Sequence, residues 1–156
     1  ECIKSLKNGG KIIFCGNGGS FADSQHLTAE FISKLRFDRN PLPAIALGTN
    51  SSNLTAIGND YGFEHIFERE LIALYDISDV FIPISTSGNS KNVIRAINKA
   101  NDLGIKTYGL TGINSGKMDD LCKTIKVPSN KTEKIQECHI MIGHILCSQI
   151  ENTIFK

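Results

Sequence analysis

The chain has 156 residues, 40% hydrophobic and 21% charged, with a formal net charge of +1. That length supports one domain with a sizeable core, and the near-neutral balance without a basic run argues against nucleic acid as a partner. No apolar run reaches membrane-spanning length, there is no signal peptide, and the five cysteines (Cys2, Cys15, Cys122, Cys138, Cys147) form no C-x-x-C pair, so reduced thiols in a cytoplasmic protein are expected.

The chain opens at Glu1-Cys2-Ile3 without a methionine, so an N-terminal element is expected to precede it. Residues 12–15 read as a short buried strand. They run into Gly16-Asn17-Gly18-Gly19-Ser20 and a helix over 21–35 opened by Ser20. A second strand at 44–47 ends in Gly48-Thr49-Asn50. Helical patterns follow at 51–58 and 63–74, then a strand at 80–84 and the turn Ser85-Thr86-Ser87-Gly88-Asn89-Ser90. The helix at 91–103 is closed by Gly104, as a C′ glycine should close it. Strands at 107–110 and 124–127 and a long helix at 133–154 complete the chain. The first four strands are nearly continuous in apolar residues, the mark of strands covered on both faces. This alternation predicts an α/β fold, a three-layer sandwich with a five-stranded parallel sheet and right-handed crossovers.

In such folds ligands gather beyond the carboxyl ends of the strands, and there every turn of this chain is small and polar. The turn at 16–20 lacks the Gly-Lys-Ser/Thr ending of a P-loop and is not G-x-G-x-x-G. Strand 44–47 also ends without an acidic residue for a ribose. A tight connection with no ligand is the plain alternative. His26 and Glu30, four apart on the helix that follows, share one face. Ser85, Thr86, Ser87 and Ser90 bring four hydroxyls to a helix N-terminus. Ordinary N-capping needs one of them; hydroxyls with free N–H groups suit a phosphate monoester. The last helix carries Gln136, Glu137, His139 and His144 among isoleucines. A lone histidine on an apolar helix is usually a hydrogen-bonded core residue, but this group, with His26 and Glu30, has the N/O donors that zinc requires. His65 has no such company and reads as a solvated surface residue.

These motifs occur in order with Asp23 and with Gly58-Asn59-Asp60-Tyr61-Gly62-Phe63, and together they resemble the sugar isomerase (SIS) domain, and within it the phosphoheptose isomerases. The resemblance spans residues 11–151. It implies one SIS domain over 1–156 with a flavodoxin-like sheet, lacking most of an N-terminal helical segment. It implies a cytoplasmic enzyme that converts sedoheptulose 7-phosphate to D-glycero-D-manno-heptose 7-phosphate for bacterial nucleotide-heptose synthesis, feeding lipopolysaccharide or capsule. A homotetramer with active sites at subunit interfaces and one Zn2+ per site is also implied. By motif, the metal ligands are His26, Glu30, Gln136 and His144. The substrate contacts are Asn17, Gly18, Gly19, Ser20, Glu30, Asn59, Asp60, Ser85, Thr86, Ser87, Ser90 and Gln136. Glu30 is expected to act as the base and His144 as the acid. The family's aspartate three residues before the glutamine is here Glu133, one methylene longer, and is not assigned a role. A non-catalytic relative that binds a replication initiator is a rival, but it lacks the residues matching Glu30 and His144. An isomerase of another sugar phosphate is a second rival, which the His26/Glu30/Gln136/His144 set argues against. Gln136 and His144 are eight apart, about 12 Å along a helix, whereas zinc bonds are about 2 Å. Each metal site is therefore expected to draw ligands from more than one subunit.

Overall fold

The computed structural model describes residues 1–156. Five strands form one sheet, β1 (Ile12–Cys15), β2 (Ala44–Ala46), β3 (Val80–Ser85), β4 (Lys106–Thr111) and β5 (Lys123–Lys126), in the order β2-β1-β3-β4-β5. Every pairing is parallel, with β1 between β2 (Ile12↔Ala44) and β3 (Ile12↔Val80). The helices are α1 (Cys2–Lys7), α2 (Gly19–Ile32), α3 (Ser51–Asp60), α4 (Ile66–Leu74), α5 (Lys91–Asp102) and α6 (Thr132–Phe155). Side chains alternate across a strand, and β1 uses that alternation to face two cores. Ile12 and Phe14 join Leu27 and Phe31 of α2 and Cys147 and Ile150 of α6; Ile13 and Cys15 join Phe67 and Leu71 of α4 and Val93 and Ile97 of α5. The result is the expected three-layer sandwich, with α1, α2 and α6 on one face and α3, α4 and α5 on the other.

Continuous burial holds for β1 and β3 and fails for the rest. Ala44 and Ile45 of β2 are half-buried because β2 is an edge strand, and β4 is covered only over Gly109-Leu110-Thr111. The helix expected at 63–74 is divided into a 3-10 turn, Phe63–His65, and α4. The helix expected to reach residue 35 stops at Ile32. There the guanidinium of Arg39 takes over the end: Nη2 donates to Glu30 O (2.7 Å) and Nη1 to Phe31 O (2.7 Å) and Ser33 O (3.2 Å). Arg39 is paired in turn with Glu151 of α6, both almost wholly buried, and Glu151 also accepts Leu35 N and Arg36 N. This pair fixes the end of α2 against α6, which matters because those two helices carry the site.

Candidate active site

Because all strands are parallel, the turns after β1, β3, β4 and β5 open on one edge of the sheet. Gly18, with φ +55°, is the N-cap of α2, a left-handed conformation that a side chain would oppose. Gly18 and Gly19 are exposed at the mouth of the turn. A Cβ on Gly19 would lie 2.5 Å from Gln136 Nε2, so the glycine admits the Gln136 carboxamide to the start of α2. Ser20 does not open the helix: it lies inside the first turn, 3% exposed, with its backbone packed on Gly16. Asn17 is half-buried, and its carboxamide pairs with that of Asn92 on α5.

The hydroxyl turn after β3 does not cap α5 through a side chain. Ser90 is the N-cap of α5 but makes no side-chain capping bond. Its Oγ lies 3.1 Å from Ser85 Oγ, while Ser87 Oγ accepts Asn89 N. Beside this turn is a polar recess of about 280 Å³ whose wall includes Thr86, Ser87, Asn114, Ser129, Asn130 and Thr132. Asn114 comes from the loop after β4, Ser129 and Asn130 from the loop after β5, and Thr132 from the first turn of α6. They were not among the sequence candidates, and their only signal is the clustering of small polar residues past two strand ends.

Helices α2 and α6 run side by side in the same direction: Gln136 meets Gly19, Gly143 meets Leu27, and Glu151 meets Leu35. This brings His26 and His144 together, with Nε2 atoms 2.9 Å apart, and His26 Nε2 lies 3.3 Å from Glu30 Oε1. One ligating atom from each of the three falls within 4.8 Å of the others. Ligands around a tetrahedral ion with bonds of about 2 Å stand about 3.3 Å apart. Two imidazole nitrogens and a carboxylate at this spacing, one histidine half-exposed, form a donor set that fits a divalent metal ion and leaves a side open. Gln136 stands apart, eight residues before His144 along α6, about 12 Å, with its side chain beside Gly19 of α2. The axial separation expected from the sequence is thus real: within one chain three of the four candidates converge and Gln136 faces the glycine turn instead. Asp23, one turn before His26, was noted only as part of the motif. Its Oδ2 is buried without a partner; burial raises the carboxyl's pKa, and the charges of His26 and His144 oppose that rise.

The SIS domain family model matches residues 1–112. Phosphoheptose isomerase of Aneurinibacillus thermoaerophilus is 54% identical over the whole of this chain and 79% of its own length. The chain belongs to the SIS domain family, and within it to the phosphoheptose isomerases. Solved structures of phosphoheptose isomerases agree: that of Neisseria gonorrhoeae superposes with a TM-score of 0.90 at 44% identity, covering 96% of this chain and 80% of the other. That of Francisella tularensis gives 0.93 at 39% identity, covering 97% and 81%.

Other residues singled out in the sequence lie elsewhere. Asn59 and Asp60 end α3 on the opposite layer, exposed, with Asn59 Nδ2 donating to Asp60 Oδ1 (2.8 Å). His65 is not a free surface group: it is half-buried, with Nδ1 3.0 Å from Glu68 Oε2, a carboxylate that Arg95 also holds. His139 is fully buried. Its Nε2 contacts Thr111 O at 3.2 Å, so that nitrogen carries the proton, and burial lowers its pKa. It is a core histidine that joins α6, the helix of His144, to the end of β4.

Proposed function

We infer that this isomerase converts sedoheptulose 7-phosphate to D-glycero-D-manno-heptose 7-phosphate in the cytoplasm, at the start of nucleotide-heptose synthesis. The observation that carries the reading is the convergence of His26, Glu30 and His144 beside a glycine turn and an uncapped, hydroxyl-rich helix start. In this reading the hydroxyls of Ser85, Thr86, Ser87 and Ser90 and the N–H groups at the start of α5 hold the phosphate. Asn17, Gly18, Gly19 and Gln136 hold the sugar. Asn59 and Asp60 approach the sugar only if subunits assemble around the site.

An aldose–ketose isomerisation moves a proton between C1 and C2 through an enediol, with a base over the carbon and an acid at the carbonyl oxygen. Glu30 takes the proton from C1 of the ketose and returns it at C2. Nδ1 of His144, the ring nitrogen not turned toward His26, donates to the carbonyl oxygen as the C1 proton leaves and takes a proton from the C1 hydroxyl as the aldehyde forms. His26 and His144 with Glu30 would hold zinc, and the ion supplies electrostatic stabilisation of negative charge developing on substrate oxygens. The half-buried position of Glu30 keeps its carboxylate partly shielded from water, which favours transfer to and from carbon over exchange with solvent. The test is incubation of full-length, zinc-loaded protein with sedoheptulose 7-phosphate and identification of the sugar phosphate formed. Formation of D-glycero-D-manno-heptose 7-phosphate supports the reading; no product from a folded, zinc-loaded preparation overturns it.

A further inference from the structure

Asn92 is the second residue of α5 and only 2% exposed, an unusual place for a carboxamide unless it is fully bonded. Its Oδ1 accepts Val93 N (2.9 Å) and Asn17 Nδ2 (2.9 Å), and its Nδ2 donates to Asn17 Oδ1 (2.8 Å). The two asparagines are 75 residues apart in sequence. Their position in the sheet gives the pair its meaning. The chain leaves β1 toward β2 on one side, and leaves β3 toward β4 on the other. Between β1 and β3 lies the reversal in strand order above which doubly wound sheets bind ligands. Asn17 follows β1 and Asn92 follows β3, so the amide pair bridges that crevice.

The pair also has a fixed sense. Val93 N–H can only donate, so it selects the oxygen of Asn92. The nitrogen of Asn92 must then face Asn17, and it selects the oxygen of Asn17 in turn. A carboxamide has two N–H donors and two acceptor sites. Asn17 therefore keeps one N–H and one lone pair free, and a reversed Asn17 would set oxygen against oxygen and nitrogen against nitrogen. The backbone of α5 thereby dictates, through Asn92, which groups Asn17 offers a ligand.

We propose that Asn92 is a positioning residue: it orients the Asn17 carboxamide toward the sugar phosphate and ties the glycine turn to the hydroxyl turn across the crevice. The proposal rests on the reading of those turns as the sugar-phosphate site. Asn92 touches no reacting atom; it acts through Asn17.

The test compares full-length, zinc-loaded wild type with Asn17→Ala, Asn92→Ala and the double variant. Turnover of sedoheptulose 7-phosphate and calorimetric binding of the same compound are measured on each preparation. Each single substitution is expected to raise KM and Kd about tenfold, with kcat changed less than about threefold and zinc content unchanged. The double variant should be no worse than the weaker single variant, because both substitutions dismantle one amide pair. A loss of packing alone would not give that combination. Multiplicative losses in the double variant, or Asn92→Ala within twofold of wild type, overturn the proposal. If Asn92→Ala does not fold, Asn92→Ser makes the same comparison, since its short side chain cannot reach Asn17. A wild type that binds the compound without isomerising it overturns the assigned reaction, and the binding ratios still judge Asn92. A wild type that does not bind it overturns both.

Discussion

The proposed function gives Glu30 two tasks that pull against each other. A carboxylate donating to a metal is a weaker base, yet the proposed mechanism asks this carboxylate to take a proton from carbon. Its Oε1 lies 3.3 Å from His26 Nε2, a spacing that suits two ligands of one ion. Glu30→Gln keeps the shape and removes the base. Its kcat should fall about a hundredfold or more, the usual contribution of general-base catalysis. Zinc content measured on the same sample separates a lost base from an emptied site, and near-full activity in a zinc-loaded Glu30→Gln protein would sink the mechanism. His139 makes a prediction of a different kind. Burial lowers its pKa below the ordinary 6.5, so the native state holds it neutral while the unfolded chain binds a proton below about pH 6.5. The unfolded state then binds more protons, and stability falls as pH drops from 6.5 toward the lowered native value. His139→Gln removes that titration. Melting curves between pH 7.5 and 5 should show a shallower loss of stability in the variant; equal slopes would mean that His139 is not the group responsible.

At the scale of elements, the site depends on how closely α2 and α6 approach. Gly143 permits the contact: a Cβ there would come within 2.4 Å of Leu27, which is wholly buried. Gly143 and Leu27 are the sequence neighbours of His144 and His26, so a wedge at this point acts directly on the histidine pair. Alanine favours helix over glycine by about 1 kcal/mol, while overpacking a filled core costs about 1–3 kcal/mol. Gly143→Ala is expected to lower stability by about 1 kcal/mol and zinc affinity at least tenfold, read by competition with a chelator. Unchanged affinity would show that the helix spacing does not set the metal site. These elements were largely legible in the sequence, because apolar periodicity is a local property: all five strands and the main helices are where it places them. The ends were not, since a distant side chain decides them, as Arg39 and Glu151 decide the end of α2. His26 and Glu30 could be paired from their spacing alone. The arrival of His144 depends on the packing of α6 against α2, and periodicity does not encode it; the donor types suggested the grouping and the family resemblance named the ligands. The Asn17–Asn92 pair left no periodic trace either, because a polar residue in the first turn of a helix looks like an ordinary helix start.

At the scale of the whole molecule, the proposed function implies a site shared between subunits. His26, Glu30 and His144 converge from a single chain, and Gln136 of that chain lies about 12 Å from His144 along α6, with its side chain at Gly19. Met141 and Ile145, on α6 beside His144, are 55% and 54% exposed. They form one wall of a recess that also includes Leu35, Ile140 and His144. Exposed apolar residues around a functional group mark a surface that a partner covers. If a second copy covers it, the open side of the metal group faces another subunit, and Gln136 of one copy can serve a triad in the next. Complementation tests this. Gln136→Ala leaves the triad intact and His144→Ala leaves Gln136 intact, so each variant alone should be inactive. When they are mixed under conditions that exchange subunits, some sites combine an intact triad with an intact glutamine, and activity should partly return, toward the fraction of mixed contacts that statistics allow. Subunit exchange is followed independently by fluorescence transfer between differently labelled copies. Activity that stays absent while exchange is complete would mean that both residues serve a site within one chain. It would remove the shared site and leave the isomerase assignment standing.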